Sequence, residues 1–202
     1  MNRILWTITI LLCLIGVAIV IRRTVLLTLP SNPAAFDSAF ARHPALTMIH
    51  IIPGLLFVTL GPFQFVRSLR NRRRGLHRWM GRIVIVSGLI IGVTGLIMGP
   101  QMAIGGANET AATMLFGSLF LFALIRGYVL MRRRNVALHR EWMIRAFAIG
   151  LAVTTIRPII GAFFATSRLT HLTPQEFFGT AFWLGFTAQT IAAEIWINYT
   201  RR

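Results

Sequence analysis

The sequence is poor in the residues that build most catalytic and metal sites. It has no lysine, five acidic residues and one cysteine, Cys13. A single thiol forms no intrachain disulfide and no cysteine metal centre. The chain also shows no paired carboxylates, no Cys-His cluster, no glycine-rich phosphate loop and no nucleophile triad. These absences exclude the usual signatures of glycosidases, zinc proteins, nucleotide-binding enzymes and serine hydrolases.

Charge is scarce and apolar residues are abundant. Only 13% of the 202 residues are charged and 55% are hydrophobic, whereas a soluble domain carries about 25% charged residues. Six apolar stretches are each near the roughly 20 residues that cross a hydrocarbon core. They are Ile4–Ile21, Ala45–Val66, Ile83–Met98, Ala111–Met131, Ile144–Ala165 and Phe177–Tyr199. Because backbone groups in lipid must bond internally, the sequence predicts an all-α polytopic transmembrane bundle of about six helices.

The first stretch has some features of a signal peptide, since Arg3 precedes a hydrophobic run. It lacks a small-x-small cleavage site, and the apolar run ends at Arg22 and Arg23. We therefore interpret it as a retained helix.

The basic residues are all arginine, 21 of them, and the formal charge is +16. A soluble protein so basic would suggest nucleic acid, but here the arginines alternate with the apolar stretches. Clusters lie at Arg67–Arg82, at Arg126–Arg145 and at the C-terminal Arg201–Arg202. By the positive-inside rule these segments face the cytoplasm. We expect an inner-membrane protein with both termini cytoplasmic, anionic lipid headgroups as partners and no nucleic acid. Arg22 and Arg23 disagree, because they would lie outside.

A repeated motif indicates an internal duplication. "RRRGLHRWMGR" (72–82) returns as "RRRNVALHREWMIR" (132–145). Each copy joins two spans, so we predict a four-helix core made from a duplicated two-helix hairpin, flanked by the first and last helices. The two copies then share one orientation, and His77 and His139 lie at the same depth near the cytoplasmic face. The whole chain, 1–202, is predicted to be one membrane-embedded domain.

Three segments carry a family resemblance: "HIIPGLLFVTLGPFQF" (50–65), "LHRWMGR" (76–82) and "LHREWMIRAFAIGLAVTTIR" (138–157). Over residues 45–161 the chain resembles a family of bacterial membrane proteins catalogued as domain of unknown function 2306. The resemblance implies a multi-pass membrane protein and brings no established activity. It points to His50, Gly54, Gly61, Gln64, His77, Arg78, Gly81, Arg82, His139, Arg140, Trp142, Met143, Arg145 and Arg157.

Helical spacing places the polar positions on shared stripes. One stripe runs from His50 to Gln64 and Ser68, another starts at His77, and a third joins His139 to Arg157. We expect these side chains to face inward at two levels. Gln64, His77, His139 and Glu194 would form the cytoplasmic level, and His50 and Arg157 the outer level. Ionisable groups within a membrane are costly and often functional.

Three interpretations of the cytoplasmic histidines stay open, of which one is that they bind another ligand or a metal. His77 and His139 are suited to be axial ligands of a haem b iron, with Arg78, Arg82, Arg140 and Arg145 pairing with its propionates. Alternatively, a His-Arg pair beside a Trp is an interfacial anchor.

The outer pair also has two interpretations. His50 and Arg157 are suited to bind an anion or a quinone, or they simply make helix-packing contacts. The alternative functions are a small-solute transporter lined by His50, Gln64 and Arg157, and an accessory subunit that binds a membrane partner or a second copy. The sequence does not decide whether the protein is an enzyme. Glu194 is expected to pair with an arginine of the basic clusters.

Overall fold

A computed structural model describes residues 2–28 and 37–201, and within these ranges the fold is helical without strands. The helices are α1 (Asn2–Thr28), α2 (Ser38–Arg42), α3 (Pro44–Leu60), α4 (Arg67–Arg72), α5 (Arg74–Met102), α6 (Gly106–Arg132), α7 (Val136–Thr170) and α8 (Pro174–Arg201). A 3-10 turn, Pro62–Phe65, follows α3. The predicted bundle of about six long helices is confirmed.

Five segments are long and apolar enough to cross a membrane: Arg3–Thr28, Pro44–Phe65, Arg74–Met102, Gly106–Arg132 and Val136–Thr170. The last long helix, α8, has 28 residues and is less apolar. Large apolar side chains on α1 are widely exposed, among them Ile4, Leu11 and Leu14. The chain is therefore an integral membrane protein whose helices contact the lipid bilayer.

The helices are longer than the apolar stretches. α1 continues through Arg22 and Arg23, and α5 begins at Arg74 and not at Ile83. Most of each arginine motif is thus helical, whereas the sequence suggested loops. An arginine near a helix end can extend its guanidinium to the headgroups while its stem stays apolar, so arginine does not have to end the helix.

The chain forms two compact units, Met1–Thr94 and Gly95–Arg202, and the division falls inside α5. In the first unit α1 and α2 pack on α3, and Phe57 is almost fully buried. In the second unit α6, α7 and α8 all pack against one another around Leu124, Ala146 and Ala181. The last helix, predicted to flank the core, thus builds the core of its own unit. That the whole chain is one domain stays a prediction.

Arginines 22 and 23 have a structural role in the first unit. Arg22 Nη2 and Arg23 Nη1 lie 2.7 and 2.6 Å from the two carboxylate oxygens of Asp37. The Arg23 guanidinium also lies over the Phe40 ring, 3.9 Å from its centroid. These contacts join α1 to α2. The prolines and polar residues of 29–45 predict a short helix there, and α2 is that helix. Residues 29–36 lie outside the described residues. The pair that disagreed with the charge rule therefore has a local reason to be there.

The connection before α6 and the connection after α7 are both short. Residues 103–105 join α5 to α6, and residues 171–173 join α7 to α8. The sequence "TPQE" starts α8 as predicted, with Pro174 as the first helical residue. The Glu176 carboxylate accepts from the Thr173 backbone N–H at 2.7 Å and from its hydroxyl at 2.8 Å, which satisfies an otherwise free donor at the helix start.

Candidate functional site

His139 lies in the first turn of α7 and is half-buried. Its Nδ1 is 2.8 Å from the Gly127 carbonyl oxygen on α6. A carbonyl only accepts hydrogen bonds, so Nδ1 must carry the proton and donate it. In the neutral ring the lone pair then belongs to Nε2. The fold therefore presents His139 as a ligand or proton acceptor through Nε2.

Gly127 allows α6 and α7 to approach closely at this point. A Cβ atom at Gly127 would lie 2.8 Å from Met143 Sδ and 3.5 Å from Trp142 Cβ. Both neighbours belong to the "LHREWM" motif of α7. The glycine thus brings its own carbonyl within reach of His139, one turn before Met143.

The arginines near His139 have partners within the second unit. Arg145 makes a two-pronged contact with Glu194, Nε to Oε1 at 2.5 Å and Nη2 to Oε2 at 2.9 Å. Its guanidinium also lies 4.8 Å from the Trp142 ring centroid. The expected pairing of Glu194 with a cluster arginine is confirmed. Because Arg145 is occupied in this way, its propionate-binding role would require the ion pair to open.

A second ion pair joins α7 to the end of α8. Arg201 donates from Nε and Nη2 to the Glu141 carboxylate at 2.6 and 2.5 Å. Arg140 donates to the Thr200 hydroxyl at 3.2 Å. Residues of the second repeat motif therefore hold α8 against α7, and of these contacts Arg201–Glu141 and Arg140–Thr200 were not expected from the sequence.

A small cavity of about 140 Å³ opens beside these ion pairs. Its walls come from α6, α7 and α8 and are apolar apart from Arg145 and Thr190. Pockets for small molecules usually have roughly 300–1,000 Å³. The second unit therefore does not enclose a cofactor in this cavity.

The first unit contains the matching histidine, His77, half-buried in the first turn of α5. One turn later, a Cβ atom at Gly81 would lie 3.1 Å from Gln64 Oε1. Gln64 is thus brought to the His77 end of α5, in agreement with the predicted level. Arg78 and Arg82 are exposed. The pairing of His77 with His139 stays a prediction.

His50 finds its partner within the first unit. Its Nδ1 is 2.8 Å from the Thr94 hydroxyl oxygen, and that hydroxyl donates to the Ile90 carbonyl at 2.6 Å. The hydroxyl proton is therefore used, so His50 Nδ1 donates and its Nε2 carries the lone pair. This is a helix-packing hydrogen bond between α3 and α5. Thr94, one of two hydroxyl residues in the apolar run Ile83–Met98, was missed in the sequence.

Arg157 lies half-buried on α7 in the second unit, on the same side of the division in the chain as Glu109. Glu109 is itself buried in the first turn of α6, where its Oε2 accepts from the Gly105 backbone N–H at 2.7 Å. The sequence gave no sign that Glu109 is buried. The predicted pairing of Arg157 with His50 stays untested.

Among the described residues, no group of three or more His, Cys, Asp or Glu side chains could hold a metal ion. The described side chains thus do not form a ligand set made only of protein groups. A haem would need only one or two ligands from the chain, because the porphyrin supplies the others.

Comparison with known proteins places these residues in a family. A family model described as "Predicted membrane protein (DUF2306)" matches residues 47–197. The match includes all nine candidate positions from His50 to Arg157 and extends through most of α8, beyond the limit of 161 expected from the sequence motifs. No curated protein and no solved structure matches the chain.

Proposed function

The chain belongs to the DUF2306 family of predicted membrane proteins, and on this premise we propose that it is a haem-binding membrane protein with His139 as an iron ligand. The hydrogen bond from His139 Nδ1 to the Gly127 carbonyl carries the proposal. Axial and metal-ligating histidines characteristically donate their second ring N–H to a carbonyl or carboxylate, which fixes the tautomer and makes the other nitrogen more basic.

The same hydrogen bond favours haem over quinone at this position. A quinone carbonyl needs a donor, and the neutral His139 ring has already used its only N–H on Gly127. A ferric or ferrous iron needs the lone pair that Nε2 offers. When bound, haem supplies one-electron chemistry; the residues of this chain bind the group and set its surroundings.

The arginines divide into two groups with respect to an anionic cofactor. Arg140 and Arg145 have partners on α8, whereas Arg78 and Arg82 are exposed. His77, Arg78 and Arg82 belong to the first unit, and the haem contacts expected of them from the repeat stay a prediction.

Absorption spectra of the full chain test the proposal. The protein, expressed with haem supply and purified in detergent, should show a Soret band. His139→Ala should abolish the band, whereas His43→Ala, a change of an exposed histidine on the first unit, should leave it intact.

Two results would contradict haem binding by His139. One is a wild-type protein that is folded and colourless after haem supply. The other is a His139→Ala protein with an unchanged Soret band. Elution as a single species on size exclusion would show that each variant is folded.

We also propose that the protein lies in the inner membrane with both termini in the cytoplasm. Support comes from the three arginine clusters, which fall on alternate connections and on the C-terminus. Arg22 and Arg23 would lie outside in this orientation, against the positive-inside rule. Their contacts with Asp37 give these two charges a structural role, which is compatible with the orientation. Association with a second copy or with a partner subunit stays a prediction.

A further inference from the structure

The segment between α3 and α5 has an unusual shape and composition. After Gly61 the chain makes the 3-10 turn Pro62–Phe65, extends at Val66 and forms the six-residue helix α4 before α5 begins. We call residues 62–74 the basic elbow. An open cavity of about 400 Å³ lies against it, lined by Phe63, Val66, Ser68, Leu69, Arg72 and Arg73.

The elbow is held in shape by its own backbone. Val66 N–H donates to the Phe63 carbonyl at 3.2 Å, Arg70 N–H to Val66 at 3.1 Å and Arg73 N–H to Leu69 at 2.9 Å. The bends on both sides of α4 are thus hydrogen-bonded turns. The cavity is therefore a preformed feature of the elbow, and little ordering is required when a ligand enters.

The lining of the cavity combines two kinds of chemistry. Phe63, 50% exposed, contributes apolar surface together with Val66 and Leu69. Arg72, Arg73 and Ser68 are exposed and add two guanidinium groups and a hydroxyl to the same lining. A guanidinium binds phosphate through two parallel N–H donors. One ligand that needs both surfaces is a phospholipid, with a phosphate group and acyl chains.

The elbow has no acidic residue to neutralise it. Residues 62–82 contain seven arginines and no Asp or Glu. In the described parts of the chain, the arginines found in ion pairs are Arg22, Arg23, Arg145 and Arg201. None of these four belongs to the elbow. Among the described residues, no ion pair therefore supplies a counter-charge to the elbow.

The second repeat provides a contrast within the same protein. There α6 ends at Arg132, and α7 begins at Val136 after a tight turn with Arg134 at φ 58°. Asn135 closes this turn by accepting from the Leu138 N–H at 3.2 Å. The second turn has three consecutive arginines, as the elbow does, but no counterpart of helix α4.

We propose that the basic elbow is a binding site for one anionic phospholipid, with the phosphate held by Arg72 and Arg73 and the acyl region against Phe63 and Leu69. The helices on both sides of the elbow are long and apolar enough to span the bilayer, which puts the elbow at the level of the lipid headgroups. A cationic pocket with apolar surface at that level fits an anionic phospholipid better than it fits a soluble anion. This inference is independent of haem binding.

The experiment compares lipid binding by four forms of the full chain. The detergent-solubilised protein is titrated with short-chain phosphatidylglycerol, with the matching phosphatidylcholine and with inorganic phosphate, and thermal stability is the readout. The wild type should be stabilised by phosphatidylglycerol well above the other two. The double variant Arg72→Gln/Arg73→Gln should need about tenfold more phosphatidylglycerol for the same stabilisation.

The matched control is Arg132→Gln/Arg133→Gln, which removes the same charge from the other repeat. It should keep the wild-type response, since it leaves the elbow unchanged. Phe63→Ser removes apolar surface without changing charge, so it should also weaken the phosphatidylglycerol response. Equal losses in both double variants would overturn the proposal, because they would show attraction by net charge alone.

Two further outcomes would also overturn it. An equal response to phosphatidylcholine would mean that the elbow does not select an anionic headgroup. An equal response to inorganic phosphate, with Phe63→Ser behaving like the wild type, would identify a soluble anion as the ligand. All of these readings are taken without haem, so they stand whatever the Soret experiment gives.

Discussion

Asp37 shows how a single buried carboxylate can stabilise the contact between two helices, here α1 and α2. It is 3% exposed and pairs with two arginines, of which Arg23 is 8% exposed and the side chain of Arg22 is 61% exposed. A buried charge is tolerated only when it keeps its partner, so the loss of one carboxylate costs far more than the ion pair is worth. Asp37 therefore holds the buried end of Arg23 and the start of α2 together.

Asp37→Asn should destabilise the protein by about 3–5 kcal/mol, since it leaves the buried Arg23 guanidinium without its counter-charge. Arg22→Gln should cost about 1 kcal/mol or less, because that arginine is exposed and its pairing is screened. Denaturant unfolding in detergent micelles, followed by tryptophan fluorescence, measures both. Similar losses for the two variants would show that burial of Arg23 does not control the stability of this region.

At the scale of helices, small residues decide how closely the second unit packs. A Cβ atom at Gly185 on α8 would collide with Ile156 Cγ1 and lie 3.3 Å from the Ile156 backbone. Gly105 and Gly179 meet in a similar way, since a Cβ at Gly105 would lie 2.6 Å from the Gly179 nitrogen. Close backbone approach is what helix association in lipid depends on, because lipid offers no hydrophobic driving force between helices.

Gly185→Ala should therefore lower stability by about 1–3 kcal/mol through overpacking. Gly161→Ala is the matched control, because nothing lies within 4 Å of a Cβ there, and it should cause no loss. The temperature at which each variant loses its monodisperse elution peak gives the comparison. A neutral Gly185→Ala would mean that α8 can move away from α7 at no cost.

The helices could be predicted from sequence because hydropathy is a local property. Six apolar stretches near the length of a bilayer crossing fix six long helices. The partners within the site could not be predicted in the same way. Thr94 for His50 and the Gly127 carbonyl for His139 are both distant in sequence, and nothing in the local pattern marks them.

The helix ends show the same distinction. The sequence treated Arg72–Arg82 as a connection because charge usually ends a transmembrane stretch, yet α5 begins at Arg74. Arginine has a long apolar stem and a good helix propensity. Hydropathy therefore finds the bilayer-crossing part of a helix and misses the turns that continue into the headgroups.

At the scale of the whole molecule, the arginine distribution predicts the orientation in the membrane. Reporter fusions after Arg74, Arg134 and Arg202 should all report a cytoplasmic location, and fusions after Gly105 and His171 an external one. Alkaline phosphatase and green fluorescent protein fusions give opposite signals on the two sides. An external signal after Arg74 or Arg134 would contradict the six-helix topology.

The helix α7 has 35 residues, which at 1.5 Å per residue is roughly 52 Å, well beyond a hydrocarbon core of about 30 Å. A helix of that length must tilt or extend beyond the hydrocarbon core. Because α6 and α8 both pack against α7, a thinner or thicker bilayer would change the tilt of the three helices together. The stability of the second unit should consequently depend little on acyl-chain length.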